Sequence, residues 1–306
     1  MIQPADGAYV CHGVTWATGD PRLLLAPLPA GPLVHAHVMN RRFGFRTGTG
    51  RWCTGRYGFT DTVRVEALAC PGRARVEHGG QCDRCAGQDE FRLAHQFHQG
   101  GASTPEALGR YMAQPHWLYL ATFADSTTKV GTAAEPRRRS RLDEQGALFA
   151  TYLAKSPDGR AVRYLEDALG QRLELPQSVR AAAKLQALAR LRDLSSARTA
   201  HEQYVVRAAG VLADLETPVV LEAWTPPEVG DRLRTGSAER VLYPHDLREG
   251  EHGFTVRSCI GSQGLVVLGE DNDEPGYLLD LGALKGRHIT LGTFASPDTA
   301  VQTSLF

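Results

Sequence analysis

Helix-forming sequence is confined to the middle of this chain, and that confinement limits the fold more than any other feature. From residue 1 to about 110 the apolar runs are short and glycine is frequent. "PLVHAHVM" (Pro32–Met39) and "TVRVEALAC" (Thr62–Cys70) alternate at period two, as strands with one buried face do. After Pro218 the short runs return as "PVVLEAW", "FTVRSCIG", "GLVVLG", "GYLLDLG" and "GRHITLG", separated by Gly, Asp and Asn turns. That texture predicts a small C-terminal β-sandwich or barrel. The expected class is therefore α+β, with segregated strands and helices. The expected domains are 1–110, 111–215 and 216–306.

The middle can be read element by element. "HWLYLATF" (His116–Phe123) is a buried-strand candidate, "ADSTT" a turn, and "KVGTA" the returning strand of a hairpin. Glu135-Pro136 opens a helix, because proline suits a first turn. The helix carries Arg137, Arg138, Arg139 and Arg141 and is expected to stop near Gly146. "ALFATYLAK" (Ala147–Lys155) predicts a third strand, and "PDGRAVRYLEDALG" a helix with Val162, Leu165 and Leu169 on one face. An alanine-rich tract from about Pro176 to Leu215 predicts one helix or two.

The 306 residues carry 34 basic and 34 acidic side chains, a balance that hides an uneven layout. Residues 129–198 have a net charge of +6 and residues 199–306 one of −8, while 1–110 carry +3. A basic middle beside an acidic end bears on partners: a nucleic acid for the first, a protein partner for the second. No run approaches ~18 apolar residues, so no membrane helix is expected. The first residues lack the basic and apolar regions of a secretion signal, which predicts a cytoplasmic protein whose cysteines are thiols or metal ligands. "GSQGLVVLG" lacks the lysine and following helix of a phosphate-binding loop.

Cys82 and Cys85 form "CDRC", a pair that can put two thiolates on one metal from a tight turn. With Cys53 in "WCTGR" and Cys70 in "CPG", four cysteines complete a candidate structural zinc site. His78, His95 and His98 are candidate substitutes for one ligand. Ordinary buried thiols are the competing reading, and Cys11 and Cys259, without local partners, are taken as core residues.

The stretch "HWLYLATFADSTTKVGTAAEPRRRSRLDEQGA" resembles the GIY-YIG nuclease core, whose two short strands carry the namesake tripeptides. "WLY", ending in Tyr119, takes the first place, and "KVG", ending in Gly131, the second. The chain is also similar, over roughly residues 50–200, to an uncharacterised bacterial family known only as a domain of unknown function. Its pattern combines upstream cysteines with His116, Tyr119, Ala121, "KVG", arginines and "QGA". The resemblance implies a three-stranded antiparallel sheet with helices. It gives Tyr119 a proton-relay role, Arg141 or Arg139 a phosphate-binding role, and Glu166 in "RYLEDAL" that of ligand to Mg²⁺ or Mn²⁺. Two positions depart from it: Lys129 stands where the second motif has tyrosine, and Trp117 where the first has glycine.

The resemblance thus implies a zinc-containing phosphodiesterase acting on DNA or RNA, with Tyr119, Lys129, Arg141 and Glu166 at its centre. Arg137, Arg138 and Arg139 would form a basic rim for phosphates, since successive helix residues point about 100° apart and cannot all face one site. Two alternatives stand beside it. One is a nucleic-acid-binding protein that does not cut. The other reuses the same pocket for a small molecule or an aminoacyl-nucleotide.

Overall fold

The computed structural model describes residues 4–59, 64–94, 105–191, 193–235, 240–269 and 276–298. The chain opens with four strands, β1 (Gly7–Thr15), β2 (Arg22–Pro27), β3 (Val34–His37) and β4 (Arg42–Thr47). A lobe of short elements follows: β5 (Arg51–Trp52), β6 (Arg56–Phe59), β7 (Val65–Leu68), β8 (Arg75–Val76) and α1 (Asp83–Gly87). The middle holds α2 (Glu106–Met112), β9 (His116–Thr122), β10 (Thr128–Ala134), α3 (Arg138–Asp143), β11 (Phe149–Ser156) and α4 (Gly159–Arg172). The helical tract divides into α5 (Ala181–Arg190) and α6 (Ser195–Asp214). Then come β12 (Glu222–Ala223), α7 (Asp231–Thr235), β13 (Val241–Leu242), β14 (Gly250–Ile260), β15 (Gln263–Val267), β16 (Tyr277–Asp280) and β17 (His288–Leu291).

The strands at the two ends of the chain share one nine-stranded sheet, ordered β13-β16-β15-β14-β4-β17-β1-β2-β3. β17 lies between β4 and β1, and β14 pairs with β4 through Gly250↔Thr47 to Thr255↔Arg42. The expected separation of 1–110 from 216–306 therefore does not describe this molecule, and the C-terminal strands are not a β-sandwich or barrel of their own. The reason is physical: period-two patterning tells a strand which face is buried but not which strand it pairs with.

The sheet also curls. Asn40 N–H donates to Val256 O of β14, five positions from β3 in the order, at 2.8 Å. Across a flat sheet that separation is about 24 Å at ~4.8 Å per strand. The few residues between β3 and Asn40 span only about 10 Å. The curl wraps one apolar core that includes Leu23 and Leu25 of β2, Phe43 and Phe45 of β4, Phe254 of β14 and Ile289 of β17.

The middle forms a second sheet, ordered β10-β9-β11-β12. The predicted hairpin, third strand and following helix are all present, with β12 added at one edge and β10 left at the other. All seven residues of β9 are buried, as its continuous apolar run requires. Leu118, Leu120 and Val130 pack on one side against Val162 and Leu169 of α4 and Ala208 and Leu212 of α6. Trp117, Tyr119 and Ala121 pack on the other side with Leu142 of α3. α4 starts at Asp158, whose carboxylate accepts the backbone N–H of Arg160 and Ala161 at 2.8 Å each.

α3 ends as expected. Gly146 adopts φ +71, and a Cβ there would come within 2.8 Å of Gln263 Oε1. Gly261, in the β14–β15 turn, could not carry a Cβ without meeting the backbone of Gly146 at 2.8 Å. This glycine-to-glycine contact seats the second sheet against the first. Among the described residues, no helix is long and apolar enough to cross a membrane.

Candidate functional site

The four cysteines converge. Cys53 follows β5, Cys70 follows β7, and Cys82 and Cys85 sit at the start of α1 and within it. Their four sulfurs lie within 4.8 Å of one another, with Cys70 and Cys82 3.9 Å apart. Tetrahedral zinc with Zn–S of about 2.3 Å needs sulfurs about 3.8 Å apart, so the set fits the ion with small adjustments. The Cys82 backbone N–H points at Cys53 Sγ at 3.2 Å, a donor that favours thiolate over thiol. Gly55 shapes the first turn: its φ is +68, and a Cβ would overlap Leu68 O at 1.8 Å. His78 is exposed, and His95 and His98 lie outside the described residues, so within these bounds the ligand set is four cysteines.

This lobe is anchored on both sides. Buried Arg73 donates to the carbonyl oxygens of Pro27 and Gly31 at 3.0 and 2.7 Å, tying the lobe to the nine-stranded sheet. Towards the other sheet it presents Phe59, Val65 and Phe91, which pack with Tyr111 and Met112 of α2. The rings meet edge to face, Phe91 with Tyr111 at 5.4 Å and Tyr111 with His116 at 5.7 Å.

A pocket of about 260 Å³ lies at this junction. Tyr57, Val65, Phe91 and Ala94 come from the lobe, and Tyr111 and Met112 from α2. His116, Thr132, Ala133 and Ala134 line it from the hairpin, and Arg137, Arg141, Glu144 and Arg163 supply its charge.

Of the four expected centre residues Arg141 lines this pocket, while Tyr119 and Lys129 lie buried within electrostatic reach of Arg141 and Glu166. Tyr119 is fully buried opposite Gly131 on β10. A Cβ on residue 131 would fall 2.6 Å from the tyrosine ring and hydroxyl, so only glycine lets the ring lie there. Among the described residues the hydroxyl has no hydrogen-bond partner. Burial pushes it above the usual phenol range, while the neighbouring Arg141 guanidinium, close but outside hydrogen-bond geometry, pulls it down. Lys129, one register step along the same face, is also buried. Burial, then repulsion from Arg141 and Lys184, brings its ammonium down to about 8, with Glu166 opposing the fall.

Glu166 is held by Arg163, one helical turn before it, at 2.5 Å. Its other titratable neighbours include the Lys129 ammonium and the neutral Tyr119 phenol, whose titrations it influences. One carboxylate already bonded to a guanidinium and bordered by further cations does not make a Mg²⁺ or Mn²⁺ site, which draws on several hard oxygen ligands. The expected role of Glu166 as a metal ligand is therefore not met by this arrangement.

The arginine helix divides its work differently from expectation. Arg137 donates to both oxygens of Glu144, at 2.9 and 3.1 Å. Arg138 lies over the rings of Trp117 and Tyr152, at 4.4 and 4.8 Å, and pairs with Glu222 of β12. Both are committed within the protein, and Arg139 alone of the three is exposed. Arg141 is only loosely paired, its contact with a carboxylate oxygen of Glu144 being 3.9 Å.

Sequence reasoning missed Arg163, Lys184, His116 and the lobe's aromatic rings as neighbours of the centre. Arg163 was within reach, since residues three apart share a helix face. Lys184, which donates to Gln145 O at 2.6 Å, and Tyr57 and Phe91 arrive from elements whose docking no local pattern encodes.

The molecule is thus an α+β protein in which a four-cysteine lobe closes a basic, aromatic pocket over an antiparallel sheet. Residues 73–224 match the model of a family described as "Protein of unknown function (DUF2797)". The match takes in Cys82 and Cys85, all of the second sheet and the whole Tyr119–Lys129–Arg141–Glu166 group. Neither a curated protein nor a solved structure matches the chain.

Proposed function

We propose that this protein is a GIY-YIG-like phosphodiesterase acting on DNA or RNA, with its four-cysteine centre holding structural zinc. One observation carries the reading: four residues spread over Tyr119 to Glu166 meet where an unpartnered buried hydroxyl and a buried ammonium lie among arginines. There the cations Lys129, Arg141, Arg163 and Lys184 outnumber the carboxylates Glu144 and Glu166, which favours a further anion. A phosphodiester supplies one, and its charge grows towards the transition state, where fixed cations help most.

The residues divide the work. Arg141 and Arg163 neutralise the non-bridging oxygens with forked hydrogen bonds. The Tyr119 hydroxyl donates to the phosphate or to the attacking water. Lys129, neutral in a useful fraction near pH 8, takes the water's proton as the water oxygen bonds to phosphorus; the opposite P–O ester bond breaks, and the leaving sugar oxygen takes up a proton from solvent. Glu166 keeps Arg163 oriented.

The enclosure of the pocket by Tyr57 and Phe91 favours a second reading, the same group acting on a small nucleotide ester. The two are separated by incubating the purified protein with labelled single- and double-stranded DNA and RNA, and with small nucleotide esters. Each series includes EDTA, Mg²⁺ and Mn²⁺ lanes and an Arg141→Gln control. Strand scission lost in the variant is the expected result. Intact strands with ester turnover would select the second reading, and binding without turnover would retire both in favour of a non-catalytic nucleic-acid binder.

A further inference from the structure

The pocket has two unlike walls. On one side Tyr57, Phe91 and Tyr111 present aromatic rings; on the other stand Arg141, Arg163 and the Arg137–Glu144 ion pair, a wall with a net positive charge. The rings are fixed against each other, Tyr57 to Phe91 at 6.3 Å and Phe91 to Tyr111 at 5.4 Å. Tyr57 is 42% exposed, a large ring left open to solvent beside a cavity. A ring wall facing a cation wall matches a ligand that is flat and apolar at one end and anionic at the other.

Size narrows the class. At about 260 Å³ the cavity falls just below the usual range for small-molecule sites, roughly 300–1,000 Å³. It holds one base with its sugar phosphate and not a stacked pair. A base inside a duplex is buried by its neighbours and cannot enter such a space unless it leaves the stack. Sequence-tolerant stacking on aromatic rings combined with a cationic track is also how single strands are held.

We propose that the pocket is a receptor for one unpaired nucleotide, its base against Tyr57 and Phe91 and its phosphate on the Arg141 side. This rests on the phosphodiesterase reading for its place beside the reacting group, and it specifies the substrate as single-stranded. The cysteine lobe then acts as the base-holding half of the site, which gives the four-cysteine centre a part in recognition as well as in folding.

The test is calorimetric titration of the full-length protein with adenosine 5′-monophosphate, ribose 5-phosphate and inorganic phosphate, alongside Tyr57→Ala and Tyr57→Phe. The nucleotide should bind at least tenfold more tightly than ribose 5-phosphate. Tyr57→Ala should remove roughly tenfold of that affinity, in line with the loss of one stacking partner, and Tyr57→Phe should retain it. Equal affinities for the nucleotide and the sugar phosphate, or an affinity unmoved by Tyr57→Ala, would overturn the proposal, as would no nucleotide binding at millimolar concentration. Scission assays on single strands and duplexes of DNA and of RNA keep the two readings apart. Base-dependent binding without scission leaves the receptor standing and removes the phosphodiesterase. Scission of duplexes as fast as single strands removes the receptor and leaves the phosphodiesterase.

Discussion

Gly131 and Tyr119 are best understood as one unit. The ring occupies the space a side chain at 131 would need, 2.6 Å from where its Cβ would sit. Gly131→Ala should cost about 1–3 kcal/mol, the usual range for overpacking, and should move the hydroxyl away from Arg141. Urea unfolding reads the first effect, and a fall in turnover larger than the stability loss explains reads the second. Lys129 leads to a prediction with a definite sign. Its ammonium is at about 8 in the folded chain, against an ordinary 10.5. Between those values the unfolded chain binds the proton more tightly, so the contribution of Lys129 to stability rises with pH across that window. Below pH 8 the buried charge costs the fold about 3 kcal/mol at most, at ~1.4 kcal/mol per pH unit. Lys129→Met, of similar volume, should therefore be more stable than the parent at pH 7 and inactive. The gap should close as pH rises from about 8 to 10.5, which denaturation at several pH values checks. A gap that is constant with pH would mean that Lys129 is ordinarily solvated. The position itself was legible in the sequence as the start of the returning hairpin strand, which pairs Lys129 with Ala121 and Gly131 with Tyr119, but the cations that depress Lys129 were not.

At the scale of elements, the arginine helix was legible as a helix with a glycine stop, whereas the carboxylates that pair with Arg137 and Arg138 were not. Composition gave its charge, whereas the partners of that charge, Glu144 and Glu222, are set by folding. Arg138 is a structural clamp: it joins α3 to β12 while covering Trp117 and Tyr152. Part of the acidic excess of the C-terminal third is thus spent on the basic middle of the same chain. The cysteine lobe was the more legible element, because thiol spacing survives in sequence even when the strands around it are only two to four residues long. Its place as a pocket wall was not legible, since Phe91 meets Tyr111 of α2, and Tyr57 meets Phe91, across segments far apart in the sequence. So small a lobe buries little apolar surface, and zinc on the four thiols, as proposed, would add ~10–16 kcal/mol to its stability. Purified protein should contain one zinc per chain by elemental analysis. Cys85→Ser or a strong chelator should abolish amide-exchange protection across residues 51–59 and 64–94 and leave it in the nine-stranded sheet. Loss of the metal with full protection retained would show that the thiols pack without it.

At the scale of the molecule, the order of strands carries the main lesson. The chain starts the large sheet, leaves it to build the lobe and the second sheet, and returns to finish it between strands laid down at the start. Short strands with Gly and Asn turns look alike whether they pair with their neighbours or with segments two hundred residues away, so the join was invisible in the sequence. In the structure it is extensive. β17 fills the place between β1 and β4, and β14 covers the other side of β4. Removing residues 241–306 would strip both partners from β4 and expose the apolar core formed by Phe43, Phe45 and Leu25. It would also withdraw Gly261 from its contact with Gly146, and with it the support beneath the turn that follows Arg141. A chain ending at 240 should therefore be insoluble or molten, with exposed apolar surface that binds a hydrophobic dye, although its whole lobe and second sheet are present. The full chain should unfold with the large sheet and the "QGA" turn losing protection together. A soluble 1–240 fragment with native-like exchange in the second sheet would mean that the candidate site folds without the large sheet. The sheet would then be a separate module rather than the scaffold on which the arginine helix ends.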